Sequence, residues 1–386
     1  MGENINIAVS HLPSLTWWRL GVNSAQVEEN AGAMTQTELR ESEIPAGISA
    51  KQMSMQEAAA WTEGLAGEIQ REKFIAGKTA IYQEQNFQTG LGREYENWIR
   101  EAVQNARVFT VEAGKKVTEP VLLARELANA SQSCDAQVIY AEEGSESTFV
   151  ISSTSDAEAE ALLCTQTKVY LEKGAVVHLV KVNMVGEEVV TLDDCGAVTE
   201  EGAHFDFVQM LLGGKKTYAG CVADQRGRHS VFTINTGYTA HKDHLMDLSY
   251  VAVQRGEKTE SNFQVKGVLS DKAQKVFRGT IDFRNGSCGS VGDEQEDVLL
   301  MDPDVINKTV PVILCEEEDV DGRHGASIGR LSQDMLFYLE NRGIPEKEAE
   351  RMMVQGRLSS IARRVANDDL EAKINAWIEK EFGTND

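Results

Sequence analysis

The chain has 386 residues, 41% of them hydrophobic, and its 61 acidic against 38 basic residues give a formal net charge of −23. A surface this acidic repels phosphate backbones and anionic headgroups, which argues against nucleic acid and membranes as partners. No apolar run approaches the ~20 residues of a membrane helix, no basic-plus-apolar leader is expected, and Cys134, Cys164, Cys195, Cys221, Cys288 and Cys315 form no CxxC, which fits a reducing cytoplasm better than a disulfide framework or a zinc knuckle.

In chain order, LPSLTWWRLGVN at 12–23 is an anchor whose Trp17 and Trp18 are expected to pack on the body. Ser54 with Glu57 makes a capping box, so a helix should start at Met55 with Ala58, Trp61 and Leu65 on one face. A second helix is predicted over 94–105, with Tyr95, Trp98 and Ile99 inward, and an irregular Gly- and Gln-rich segment between the two. Residues 1–105 therefore read as a small, mainly helical region.

From 106 the texture changes to short β-branched runs broken by Gly, Asn and Asp: VVHLVKV (176–182), HFDFVQMLL (204–212), VFTINTGY (231–238) and KVFRGTIDF (275–283). In the last, Phe277, Gly279, Ile281 and Phe283 share one face, and Arg278, Thr280 and Asp282 the other, which is the period of a strand. No helix-length segment interrupts the region, which argues against an alternating βαβ sheet. Periodicity leaves a sandwich, a barrel or stacked β-coils open, with no clean internal repeat to decide.

The stretch from Cys315 to Ile344 carries the densest pattern. An acidic run, Glu316–Glu317–Glu318–Asp319 with Asp321, reads as a solvated edge. Gly322, Gly325 and Gly329 suggest a turning backbone around His324, and from Ser332 the pattern becomes helical, with Met335, Leu336 and Leu339 on the stripe and Gly343 at the stop. A second helix follows Pro345, with Ala349, Met352, Met353, Gly356, Leu358, Ile361 and Val365 at helical spacing, and a last one over 369–382 centres on Ile374, Trp377 and Ile378.

HGASIGRL at 324–331 and LFYLENRGI at 336–344, supported by VFRGTIDF at 276–283 and LPSLTWWRLGVN at 12–23, resemble the SufB/SufD family of iron–sulfur cluster assembly scaffolds, and the HGA…GRL form is closer to the SufD branch. The resemblance implies a mainly β fold: a right-handed parallel β-helix over 106–325, flanked by the N-terminal region 1–105 and a C-terminal helical region 326–386. It also implies pairing with a SufB-like chain or a second copy, and docking of a SufC-like ABC-type ATPase on the C-terminal helices. Phe337, Tyr338, Arg342, Gly343 and Ile344 are then the candidate ATPase contacts, with Leu336 packing inward.

Within that resemblance His324 matches a histidine at the meeting of two β-helix subunits, implicated in building the nascent cluster. A neutral imidazole can ligate iron or carry a proton. The cluster would be transient, with no cofactor stably bound. Many SufD chains have a cysteine two residues before this histidine; here Gly322 stands there, and Cys315 is the nearest thiol. Cys315 reads as a buried strand residue or, if the chain folds back, a metal ligand. His241 and His244 in AHKDH would point to opposite faces of a strand. The remaining five cysteines read as core or wall. GGKKT at 213–217 lacks the upstream glycine of a phosphate loop and reads as a turn; with no GxSxG either, the chain is expected to be non-catalytic. Two further readings stay open: a carbohydrate-active parallel β-helix enzyme, and a purely structural homodimer that supports an ATPase.

Overall fold

The computed structural model describes residues 4–382 apart from 17, 38, 68, 76, 77, 85, 86, 331 and 332. The expectations for Trp17, Leu331, Ser332 and the side chain of Met335 fall outside the described residues.

About eight coils stack into a parallel β-helix. Each coil supplies one strand to each of two sheets, from Asn105–Val111 with Val121–Leu127 to Ile306–Cys315 with Val320–Arg330. All four runs singled out in the sequence are strands: Val176–Val185, His204–Gly213, Val231–Ala240 and Gln274–Phe283. Between the sheets lies an aromatic and aliphatic core that includes Phe109, Phe149, Phe205, Phe232, Phe263 and Phe277. Because parallel neighbours in register point the same way, like side chains stack between coils. Phe205 and its register partner Phe232 lie 5.6 Å apart and nearly coplanar.

A repeat does exist, carried by one turn. Gly114, Gly144, Gly174 and Gly202 have φ between 65° and 68°, and His229, Lys258 and Gly289 take the same left-handed place in the next coils. Each donates its amide to the carbonyl of the corresponding turn one coil on, as in Gly174 to Glu201 (2.8 Å) and His229 to Glu257 (2.9 Å). This conformation favours glycine, but two coils use other residues, so the period of about 30 residues is blurred in the sequence.

The N-terminal region is not mainly helical. Asn4–Val9 and Ala25–Asn30 pair antiparallel, and Ile48–Ser54 adds antiparallel to Asn105–Val111, closing one end of the stack. The segment expected to be irregular holds the antiparallel pair Ile69–Ile75 and Lys78–Glu84. Helix α1 (Met55–Ala66) starts on the predicted capping box, and α2 (Arg93–Ala102) buries Tyr95 and Ile99, with Trp98 stacked on Tyr95 at 5.9 Å. It stops at Ala102 rather than 105, because Asn105 begins the first coil. Trp18 does not pack on the body but is 77% exposed.

Three helices follow the last coil: α3 (Gln333–Glu340), α4 (Glu346–Ala362) and α5 (Asp368–Phe382). Helices α4 and α5 lie along the outer face of one sheet. Leu358, Ile361, Ile374 and Ile378 pack there against Val180, Val182, Val208 and Met210. The buried stripe takes in Val354, while Met352 is exposed. Among the described residues no helix is long and apolar enough to cross a membrane.

Candidate functional site

The C-terminal end of the β-helix is open. Ile306–Cys315 and Val320–Arg330 are the terminal strands of their sheets, and most of their residues are half-buried or exposed, unlike every coil before them. Their outer backbone edges have no strand neighbour among the described residues. Two adjacent edges of this kind are a template for pairing with another chain.

His324 lies on the second of these strands. The expected glycine-rich bend is therefore extended structure: Gly322, Gly325 and Gly329 sit inside Val320–Arg330. None of the three has a positive φ. The register pairs His324 with Glu294, Gly322 with Gly292, and Ala326 with Glu296. A Cβ on Gly322 would meet Phe283 Cε2 at 2.9 Å and Ile313 at 3.3 Å, so that position faces the interior of the coil. Two residues on, His324 shares that face. It remains exposed because no further coil covers it.

Beneath His324, Glu294 is buried. Burial first, and then the nearby Glu296 charge, push its carboxyl up to about 8, against the opposing pull of Lys275. A carboxylic acid that keeps its proton at neutral pH therefore neighbours a solvent-facing imidazole. Such a pair can hold or pass a proton, and a neutral ring nitrogen can also ligate a soft or borderline metal.

Sequence reasoning missed a row of buried charge between the two sheets. The Lys275 ammonium pairs with Glu296, whose second oxygen accepts from Thr309 Oγ1 at 2.6 Å. Further along, Asp193 accepts from Lys181 (2.5 Å), Thr165 (2.7 Å) and Gln209 (2.8 Å), and Tyr250 donates to Gln209 at 2.7 Å. Burial alone would raise Asp193, but the Lys181 charge and these donors hold it below the usual carboxylate range. Arg125 pairs with Asp135 at 2.7 Å in an earlier coil. The available signal was the lone charge inside an apolar run, such as Lys181 in VVHLVKV, since a charge is buried only with a partner.

The other candidates separate. Cys315 is not a buried strand residue: it is exposed at the end of its strand, with Sγ 2.9 Å from the Glu317 carbonyl. Cys288 is exposed too, and its hydrogen bond to Asp319 pushes its thiol up. The other four cysteines are buried, as expected. Glu316 to Asp319 form the solvent-facing turn between the last two strands. GGKKT is a turn, with Gly213 and Gly214 both at positive φ. His241 and His244 do not point apart: they occupy one turn, with ring centroids 4.6 Å apart.

On α3, Leu336 is buried while Phe337 and Tyr338 are 67% and 51% exposed. The Arg342 guanidinium stacks over Tyr338, 4.9 Å from the ring centroid. Gly343, at φ 85°, ends the turn, and Ile344 is half-buried as its amide donates to Leu339. An aromatic–arginine patch thus faces solvent close after the last strand.

The fold is thus a parallel β-helix closed at one end by an antiparallel strand, without a further strand at the other end among the described residues, and buttressed by helices. A family model described as "SUF system FeS cluster assembly, SufBD core domain" matches residues 124–357, more than half of the chain. The chain belongs to the SufBD family of iron–sulfur cluster assembly proteins. It is 27% identical over 222 residues to the iron–sulfur cluster assembly protein SufD of Bacillus subtilis, covering 50% of this chain and 49% of that one. A SufBD family protein of Mycobacterium bovis is 28% identical over 169 residues, 44% of this chain and 20% of the relative. One from Staphylococcus saprophyticus is 24% identical over 231 residues, 59% of this chain and 49% of the relative. The matches thus span about half or less of these relatives.

Proposed function

We propose that this chain is a non-catalytic scaffold subunit of iron–sulfur cluster assembly, pairing through the open end of its β-helix with a SufB-like chain or a second copy. The observation that carries this reading is the pair of strand edges in the last coil that have no strand neighbour among the described residues, with His324 on one of these strands. Edge pairing satisfies the free amides and carbonyls and covers the exposed Ile306 and Ile328. Pairing also brings His324 and its buried neighbour Glu294 into a seam where a transient cluster is assembled, with sulfur ligands from the partner. Cys315, exposed on the same coil, is the thiol of this chain that would contribute.

The exposed face of α3 and the following turn, Phe337, Tyr338, Arg342, Gly343 and Ile344, docks the SufC-like ATPase. Nucleotide-driven motion of that subunit opens and closes the seam. Supporting this division of labour, the sequence has neither a phosphate-cradling loop nor a nucleophile elbow.

The test is co-purification of the full chain with the ATPase and the SufB-like protein, followed by cluster transfer to an apo-ferredoxin. Stable complexes are expected. His324→Ala should leave the complex intact and lower the rate of cluster transfer at least tenfold. Binding to neither partner, or unchanged transfer by the variant, overturns the reading.

A further inference from the structure

A second constellation lies where α5 docks on the flank of the β-helix. Glu187 sits in the turn between Val176–Val185 and Glu188–Thr199, His241 opens the turn after Val231–Ala240, and Glu381 is in the last turn of α5. One donor atom from each lies within 4.8 Å of the others. His241 Nε2 is 3.6 Å from Glu187 Oε1 and 3.5 Å from Glu381 Oε1. Neither ring nitrogen makes a hydrogen bond, although the residue is only 7% exposed. A buried polar group without a hydrogen bond is costly, and here the ring nitrogen faces two carboxylates at ion-pair range, a set of donors turned toward one another.

The spacing suits a metal. Imidazole nitrogen and carboxylate oxygen bind zinc at about 2.0–2.2 Å, and tetrahedral donors at that radius stand about 3.4 Å apart. The two separations from His241 Nε2 fall close to that value, and the carboxylate oxygens lie within 4.8 Å of each other. The Lys242 ammonium pairs with Glu187 Oε2, which leaves Oε1 toward His241. Trp377 and Lys380 line the same cavity, whose volume of about 220 Å³ leaves room for water to complete a coordination sphere. The donors come from two turns of the β-helix and from the last helix.

We propose that Glu187, His241 and Glu381 bind a divalent first-row transition cation, Zn²⁺ fitting best, which clips α5 to the β-helix. One nitrogen and two oxygens form a borderline donor set, suited to zinc rather than to calcium or magnesium. The site is independent of the open end and of its proposed role.

The test uses the full chain carrying Cys288→Ser and Cys315→Ser, so that the two exposed thiols cannot bind metal. After chelation and dialysis, Zn²⁺ is titrated calorimetrically, and Co²⁺ is titrated by visible absorption. The expected result is one equivalent per chain, cobalt d–d bands without thiolate charge transfer, and a thermal midpoint several degrees higher with zinc. His241→Gln and Glu381→Gln should each weaken binding at least tenfold. Glu381→Gln, at a partly exposed helix end, keeps the test meaningful even where His241→Gln folds poorly. Absence of stoichiometric binding, or unaltered affinity in Glu381→Gln, overturns the proposal.

Discussion

Arg278 ties the start of the chain to the penultimate coil: its Nε donates to the Val22 carbonyl at 2.6 Å while Nη1 donates to Asp247 Oδ1 at 2.7 Å. Arg278 and Asp247 are 1% and 2% exposed. The outer face of VFRGTIDF is therefore covered, and two of the stretches that carried the family resemblance meet in space. Lys308 extends the clamp to the Leu20 carbonyl at 3.1 Å.

Replacing one member of such a pair leaves a buried charge without its partner. Burial already raises Asp247, with Arg278 opposing that shift. Arg278→Met should therefore destabilise the fold by about 3–5 kcal/mol, and Arg278→Met with Asp247→Leu should recover most of that loss. Urea midpoints of both variants check this. A single variant within about 1 kcal/mol of the parent would refute the clamp.

Glu294 makes stability depend on pH with a definite sign. Its folded value is about 8 against an ordinary 4.5. Between those limits the folded chain holds a proton that the unfolded chain has released. Stability contributed at this site is thus full at low pH and falls as pH rises, by up to ~1.4 kcal/mol per unit. Glu294→Gln should flatten that part of the profile, read as thermal midpoints from pH 5 to 8.5. The same slope in the variant would place the proton elsewhere.

Gly322 stands where the resemblance to SufD chains would place a cysteine, and the structure gives a reason for the cost of that exchange here. A Cβ at 322 would stand 2.9 Å from Phe283 Cε2, closer than side chains tolerate. Gly322→Cys should cost about 1–3 kcal/mol through overpacking. It should also place a thiol on the face shared with His324, raising the iron and sulfide retained after anaerobic reconstitution. A stability loss with no gain in retained iron would argue that the ligand set is completed wholly by the partner.

The strands were legible because apolar alternation is local: KVFRGTIDF declares its face without its neighbours. The capping box at Ser54 was legible for the same reason. The open end was not. Gly322, Gly325 and Gly329 suggest a bend by residue type, yet pairing with Ser290–Leu300 holds them extended. The spacing of His241 and His244 suggests opposite faces of a strand because the turn that holds them leaves little mark in the sequence. The antiparallel strands Ile69–Ile75 and Lys78–Glu84 lack a strong apolar alternation, and hydrophobicity alone puts Trp18 inside although it is exposed. Of these, the open end depends on contacts distant along the chain, whereas the paired strands near residue 75 and the turn at His241 are local and leave little apolar pattern.

The neighbouring residues Leu336 and Phe337 separate folding from docking. Leu336 is 3% exposed and Phe337 67%. Leu336→Ala removes buried apolar volume and should cost about 2–5 kcal/mol. Phe337→Asp changes a solvent-facing ring and should leave the thermal midpoint nearly unmoved. If α3 docks the ATPase, Phe337→Asp should weaken that complex at least tenfold, because exposed aromatics beside arginine are typical anchors of interfaces. Removing Arg342, whose guanidinium lies over Tyr338, should weaken it in the same direction. Calorimetric titration of the ATPase into each variant gives the answer. Full affinity in Phe337→Asp, together with an intact fold, would move the docking surface off α3.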